Sequence, residues 1–186
     1  MLNFKPKQVT KRIIAEIGDR PRDVISQRFG IGDFTEKKTL EAIGKAYGIT
    51  RERVRQIESF GLKEAKESKT YQSLKDVFAE LKCIIEEKGG IVREIDLLNH
   101  LTDDEHTKNH IFFLLVLGDD FIRLKEDDEF HHRWTVDEER AGKVHSALRQ
   151  LHKTIGTDDL YPEPEILNHL KGFAEHVLSE DLSDEE

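Results

Sequence analysis

Arg51, Glu52, Arg55, Gln56 and Ser59 sit within the run TRERVRQIES, residues 50–59. Wound at ~100° per residue, they fall on one arc of a helix. The chemistry of that arc is hydrogen bonding to flat partners presented edge-on. An Arg fork matches the two acceptors of guanine, a Gln amide matches adenine, and a Glu carboxylate accepts from the amino group of cytosine. Val54, Ile57, Gly61 and Ala65 fall on a second arc, roughly opposite. A solvated charged face is the plainer reading of any charged helix. Arg and Gln crowded into the first two turns after a glycine turn point instead to a face that reads base edges.

The elements around this run are those that would position it. Residues 39–47 read as a short helix, which Gly48 breaks because glycine tolerates positive φ. Thr50 can then cap the next helix through its hydroxyl. Two helices around a tight turn make a helix-turn-helix, whose second helix enters the major groove. The apolar arc of that helix is expected to pack on the first helix through Leu40, Ile43 and Ala46. Lys37 and Lys38 precede the motif and Arg28 lies near its turn, positions suited to phosphate contacts.

RFGI at residues 28–31 and TLEAIGKAYGITRERVRQIE at residues 39–58 resemble region 4 of bacterial sigma factors of the sigma-seventy class. DRPRDVI at residues 19–25 is similar to the usual Arg-Glu-Arg helix opening of that region. The resemblance covers residues 9–67. It implies a module that reads the minus-35 element of double-stranded promoter DNA and docks on the flap of the RNA polymerase β subunit. By position it makes Arg51, Glu52, Arg55 and Gln56 base-reading residues and sends Arg53 to backbone phosphate or acidic protein. Ser59, Lys37, Lys38 and Thr50 complete the expected DNA-binding set. The chain departs from the family after Glu58, where Ser59, Phe60 and Gly61 replace alanines and basic residues. Gly61 in a helix interior costs ~1 kcal/mol unless close packing needs it.

A net charge of −9 sits badly with DNA binding until it is divided. Residues 1–70 hold 16 Lys+Arg against 10 Asp+Glu, and residues 71–186 hold 13 against 28. The first part is therefore net +6 and the second net −15, so phosphate neutralisation is expected only from the first. The single Cys permits no internal disulfide, which suits the cytoplasm. No apolar run approaches the ~18 residues of a membrane span, and the N-terminus lacks a signal-peptide core.

Further along, residues 7–17 and 19–29 read as amphipathic helices, with Asp19 as the N-cap of the second and Pro21 in its first turn. Residues 67–73 form a polar junction. Helical stripes follow at residues 74–87, 91–101 and 105–117. Residues 121–124 and 130–136 read as strands around the acidic turn KEDDE. Three helices and a hairpin are the order of a winged helix. Residues 71–136 more weakly resemble the HARE-type winged helix of the RNA polymerase δ subunit, through that order and the closing strand Arg133-Trp134-Thr135-Val136. The wing carries Glu126, Asp127, Asp128 and Glu129 and would repel phosphate, so protein docking or a structural role is expected of it. Helices at residues 137–152 and 165–178 precede an acidic tail expected to be disordered.

Other chemistry is sparse. His106 and His110, at helical i, i+4 spacing, and His131 with His132 read as polar surface; no metal and no cofactor is expected. Cys83 lies on an apolar stripe and reads as core. No Gly-Lys-Ser/Thr follows either glycine cluster, and no nuclease pattern appears, so the chain does not read as an enzyme. The fold expected is mainly α, a sigma region 4-like helix-turn-helix domain over residues 1–69 followed by a winged-helix-like domain with a small β-hairpin over 70–137. A C-terminal helical extension (138–178) and the acidic tail (179–186) complete it. The function expected is that of a sequence-specific transcription factor acting with RNA polymerase in initiation. An operator-binding regulator independent of polymerase and a sigma-mimicking interaction protein are the alternatives. By the region 4 resemblance the chain is expected to lack the sigma segments that recognise the minus-10 element and melt DNA, and to work beside another factor or modify one.

Overall fold

The computed structural model describes residues 2–155 and 162–178. They fall into two compact units, one of residues 1–82 with 94–121 and one of residues 83–93 with 122–186. Among the described residues the fold is mainly α, as the sequence predicts, with one three-stranded sheet where a two-stranded hairpin is expected. Among the described residues no helix is long and apolar enough to cross a membrane.

The first unit is built from helices. They are α1 (Pro6–Ala15), α2 (Asp19–Phe29), α3 (Leu40–Tyr47), α4 (Arg51–Glu67), the short α5 (Lys69–Gln72), the start of α6 (Lys75–Glu87), α7 (Glu94–Leu101) and α8 (Glu105–Leu117). Arg22 closes the end of α1, donating from Nε to Ile14 O at 2.8 Å and from Nη2 to Ile17 O at 2.7 Å. Gly18, not Asp19, occupies the N-cap of α2. Asp19 lies one residue inside, where its carboxylate faces the positive helix end and pairs with Arg22 at 3.2 Å. The junction at residues 67–73 is pinned. Ser68 caps α5, and the Glu16 carboxylate accepts from the backbone N–H of Lys69 at 2.9 Å and of Thr70 at 3.1 Å.

Helix α8 is apolar on nearly every side, so it has to be enclosed. Ile111, Phe113, Leu114, Leu115 and Leu117 are buried, and α8 packs on α1 and α2. Phe113 meets Phe29 edge-on, with centroids 5.2 Å apart. Asn109 Nδ2 donates to Gly30 O at 3.2 Å and to Thr35 O at 3.0 Å, fastening the loop after α2. His110 is also enclosed, 2% exposed, with Nδ1 against the Thr10 hydroxyl and Nε2 3.2 Å from that of His106. The surface position expected for it is therefore corrected. Its side of α8 faces α1, a pairing across 100 residues that periodicity within α8 cannot reveal.

The second unit contains the sheet, ordered β1 (Ile91–Arg93), β3 (Arg133–Thr135), β2 (Ile122–Leu124), all antiparallel. Trp134 pairs with Val92 on one side and Arg123 on the other and is 1% exposed. The helix expected over residues 91–101 begins only at Glu94. β-Branched Ile91 and Val92 follow two positive-φ glycines and are drawn out as a third strand beside the expected hairpin. In sequence the order is α6, β1, α7, α8, β2, β3 with β3 central in the sheet, which is winged-helix order.

Helix α9 (Glu138–Ile155) follows, and α10 (Glu163–Leu178) packs on it. Two of the four carboxylates of the acidic turn pair with arginines of their own unit, and the turn stays net acidic. Asp127 pairs with Arg133 at 3.1 Å, Glu129 with Arg149 at 2.6 Å and Glu126 with His131 at 3.1 Å. Cys83, expected in the core, is exposed on α6 and donates to Glu87 at 3.4 Å. The acidic tail lies outside the described residues.

Candidate nucleic-acid interface

The helix-turn-helix is assembled from local rules that each leave a mark in the geometry. The Thr39 hydroxyl accepts from Ala42 N at 3.1 Å and caps α3; the Thr50 hydroxyl accepts from Arg53 N at 3.1 Å and caps α4. Between them Gly48 adopts φ 65°, and Ile49 N donates to Gly44 O at 2.9 Å. Gly44 itself admits the turn, since a Cβ there would lie 2.8 Å from Ile49 O. The signal was a glycine inside a helix, four residues before the breaking glycine.

Val24, Ile43, Val54 and Ile57 form the cluster that holds α3 and α4, with Leu40 and Ile49 packed against it. Ala46, expected in this contact, is exposed, and Ile49 from the turn takes its share. The opposite arc of α4 stays in solvent. Arg51, Glu52, Arg53, Arg55, Gln56 and Ser59 are all exposed, while Gly61 and Ala65 are buried with Val54 and Ile57. Gly61 is where α4 meets α2. A Cβ there would fall 2.7 Å from Ile25 Cδ1 and 2.9 Å from Pro21 Cβ, so close packing accounts for a glycine in mid-helix. The helix continues through it to Glu67.

The exposed arc is internally organised. Arg55 donates from Nε and Nη2 to the two oxygens of Glu52 at 2.9 and 2.8 Å. That bond holds the Glu52 carboxyl below its usual range and raises the Arg55 guanidinium, so both stay charged. Arg53 Nη1 donates to Gln56 Oε1 at 3.1 Å, and the Gln56 side chain also hydrogen-bonds the Glu52 carboxylate, so the polar groups of the arc are linked to one another. Glu58 is set apart from the arc. Burial pushes its carboxyl up, against the pull of Arg28 at 3.3 Å.

Flanking cations are more engaged than their sequence positions suggest. Lys37 Nζ stands 4.0 Å from the centroid of the Phe112 ring. Lys38 Nζ donates to Gln27 Oε1 at 3.0 Å and stands 5.3 Å from the Phe34 centroid. Arg28 also donates to Lys38 O at 3.2 Å. Both lysines are exposed at the edge of the helix-turn-helix, with ammonium groups already held by aromatic or amide partners. Thr50 keeps its side chain in the cap.

The family model Sigma-70, region 4 matches residues 13–67, the segment from α1 through α4. A curated relative, RNA polymerase sigma factor RpoS of Coxiella burnetii (strain RSA 493 / Nine Mile phase I), is 50% identical over 54 residues. That match covers 29% of this chain and only 15% of the relative. No solved structure gives a significant match. The helix-turn-helix within residues 13–67 thus matches sigma-70 region 4, in a chain most of which lies outside that match.

Proposed function

We propose that this chain recognises double-stranded promoter DNA through α4 and acts with RNA polymerase in transcription initiation. The observation that carries this reading is the exposed constellation of Arg51, Glu52, Arg55, Gln56 and Ser59, held outward by a buried opposite arc. Arg51, Gln56 and the coupled Glu52–Arg55 pair meet base edges; Lys37, Lys38 and the backbone around Thr50 meet phosphate, and Arg53, off the base-reading arc, meets acidic protein. The region 4 match supports DNA binding and a sigma-like role, and from it we infer docking on polymerase, with the β-subunit flap as the site.

The reading assigns one DNA-binding helix to the chain. In winged-helix order the third helix, α8, would be the second reader, and it is enclosed by α1 and α2. The wing carboxylates oppose phosphate. We therefore give residues 70–137 a structural or protein-docking role.

Footprinting on selected promoter fragments, with and without polymerase, tests the proposal. Protection of an upstream promoter element and retention of polymerase on the tagged chain are expected. DNA protection without polymerase retention would favour an independent operator-binding regulator. Polymerase retention without protection would leave a sigma-mimicking interaction protein.

A further inference from the structure

Phe60 projects from α4 with 56% of its surface in solvent, in a helix whose other large apolar side chains are buried or half-buried. It stands two turns after Arg53 on the same stripe and off the base-reading arc, which ends at Ser59. Together with Pro21 and Ile57 it forms the apolar part of a groove rimmed by Arg20, Arg53 and Gln56. The groove is open where the N-terminal turn of α2 approaches α4, the approach that Gly61 permits. No carboxylate lines it. Arg20 leans over the Tyr47 ring, 5.9 Å from its centroid, and Arg53 is occupied only by the neutral Gln56 amide. The two cations therefore flank an apolar floor without an acidic partner among the groove's own residues.

We propose that this groove is a docking site for a protein segment that presents one large apolar side chain flanked by carboxylates. The apolar side chain would cover Phe60, Ile57 and Pro21, and the carboxylates would pair with Arg20 and Arg53. An acidic flank follows from charge complementarity, because a neutral apolar segment would leave both guanidiniums facing it unpaired. Duplex DNA is the poorer occupant. It would satisfy the arginines but leave Phe60 against phosphate and water. The proposal does not rest on base reading by α4 and stands if that reading fails.

The test pans a random 12-residue peptide library displayed on phage against the full chain, with the Phe60→Ala chain as counter-selection. Phe60 is exposed, so its truncation should leave the thermal melt unchanged, and circular dichroism checks this. Selected clones should carry Phe, Leu, Met or Trp beside Asp or Glu. A synthetic peptide from such a clone should bind at least tenfold more weakly to Phe60→Ala and to the doubly charge-reversed Arg20→Glu, Arg53→Glu chain. Nitrogen-15 chemical-shift changes should centre on Arg20, Arg53 and Phe60. Clones that bind both chains equally, clones without acidic bias, or no enrichment over the counter-selection would overturn the proposal. So would a tenfold loss of affinity for a promoter duplex in Phe60→Ala with no peptide discrimination, which would assign the groove to DNA.

Discussion

Arg55 grips the carboxylate of Glu52 with both arms of its fork, at 2.9 and 2.8 Å, one turn back along α4. Both side chains are more than half exposed, so the pair adds little to stability. Under the proposed function its use lies in presentation. Glu52 fixes the plane of the guanidinium, and Arg55 fixes which carboxylate lone pairs remain for a cytosine amino group. Arg55→Ala should weaken binding to a selected site by ~1–3 kcal/mol and relax sequence preference. Glu52→Ala should release Arg55, raising affinity for random duplex while lowering the ratio of specific to nonspecific binding. Gel-shift titrations at one fixed salt concentration measure both, and unchanged ratios in both variants would remove the pair from the reading face.

Gly61→Ala sets two effects against each other. Alanine gains ~1 kcal/mol of helix propensity over glycine. Its Cβ would stand 2.7 Å from Ile25 Cδ1 and 2.9 Å from Pro21 Cβ, and overpacking of that kind costs ~1–3 kcal/mol. The Ile25 methyl can rotate away but the proline ring cannot, so the net outcome should be destabilising. Ile25→Val removes the nearer clash and should recover part of the loss in the double variant, read as a shift in denaturant midpoint at constant slope.

Phe113→Ala tests whether α4 depends on α8. Phe113 is fully buried and meets Phe29 at the end of α2, which in turn packs on α4. Truncation should cost ~3–5 kcal/mol. Because α1 to α4 and α8 belong to one unit, DNA binding and helical signal should be lost in a single denaturant transition. Retained DNA binding after the helical signal has fallen would show that α8 is dispensable to the helix-turn-helix.

The pH dependence follows from His110. Burial first, then the neighbouring His106 and Lys7, lowers its pKa from the ordinary 6.5 to about 4, with Asp104 opposing. A histidine depressed in the folded state stabilises the fold fully above its unfolded pKa. That contribution is lost as the pH falls through the folded pKa. Stability should therefore decline between about pH 6.5 and pH 4. His145, also depressed by burial and by Arg133 and Arg149, adds a loss of the same sign. His110→Gln should flatten the slope of unfolding free energy against pH over this window, whatever it does to absolute stability.

What the sequence determined by itself is the helix-turn-helix and the faces of its second helix. Thr39, Thr50 and Gly48 act on groups within one turn of themselves, and the period of Val54, Ile57, Gly61 and Ala65 separates the buried arc from the exposed one. Such rules need no knowledge of the rest of the chain. What tertiary structure decided is everything that depends on a distant partner. An apolar α8 states that it must be enclosed but not by what; Asn109 bonding 79 residues back to Gly30, and Thr10 meeting His110, supply that answer. Ile91 and Val92 suit a helix stripe or a strand, and only pairing with Trp134 and Thr135 chooses the strand. Gly61 reads as a weakness in α4 until Pro21 and Ile25 occupy the space its side chain lacks. Local propensities are fixed within a turn, whereas these choices rest on contacts that form only when the chain closes on itself.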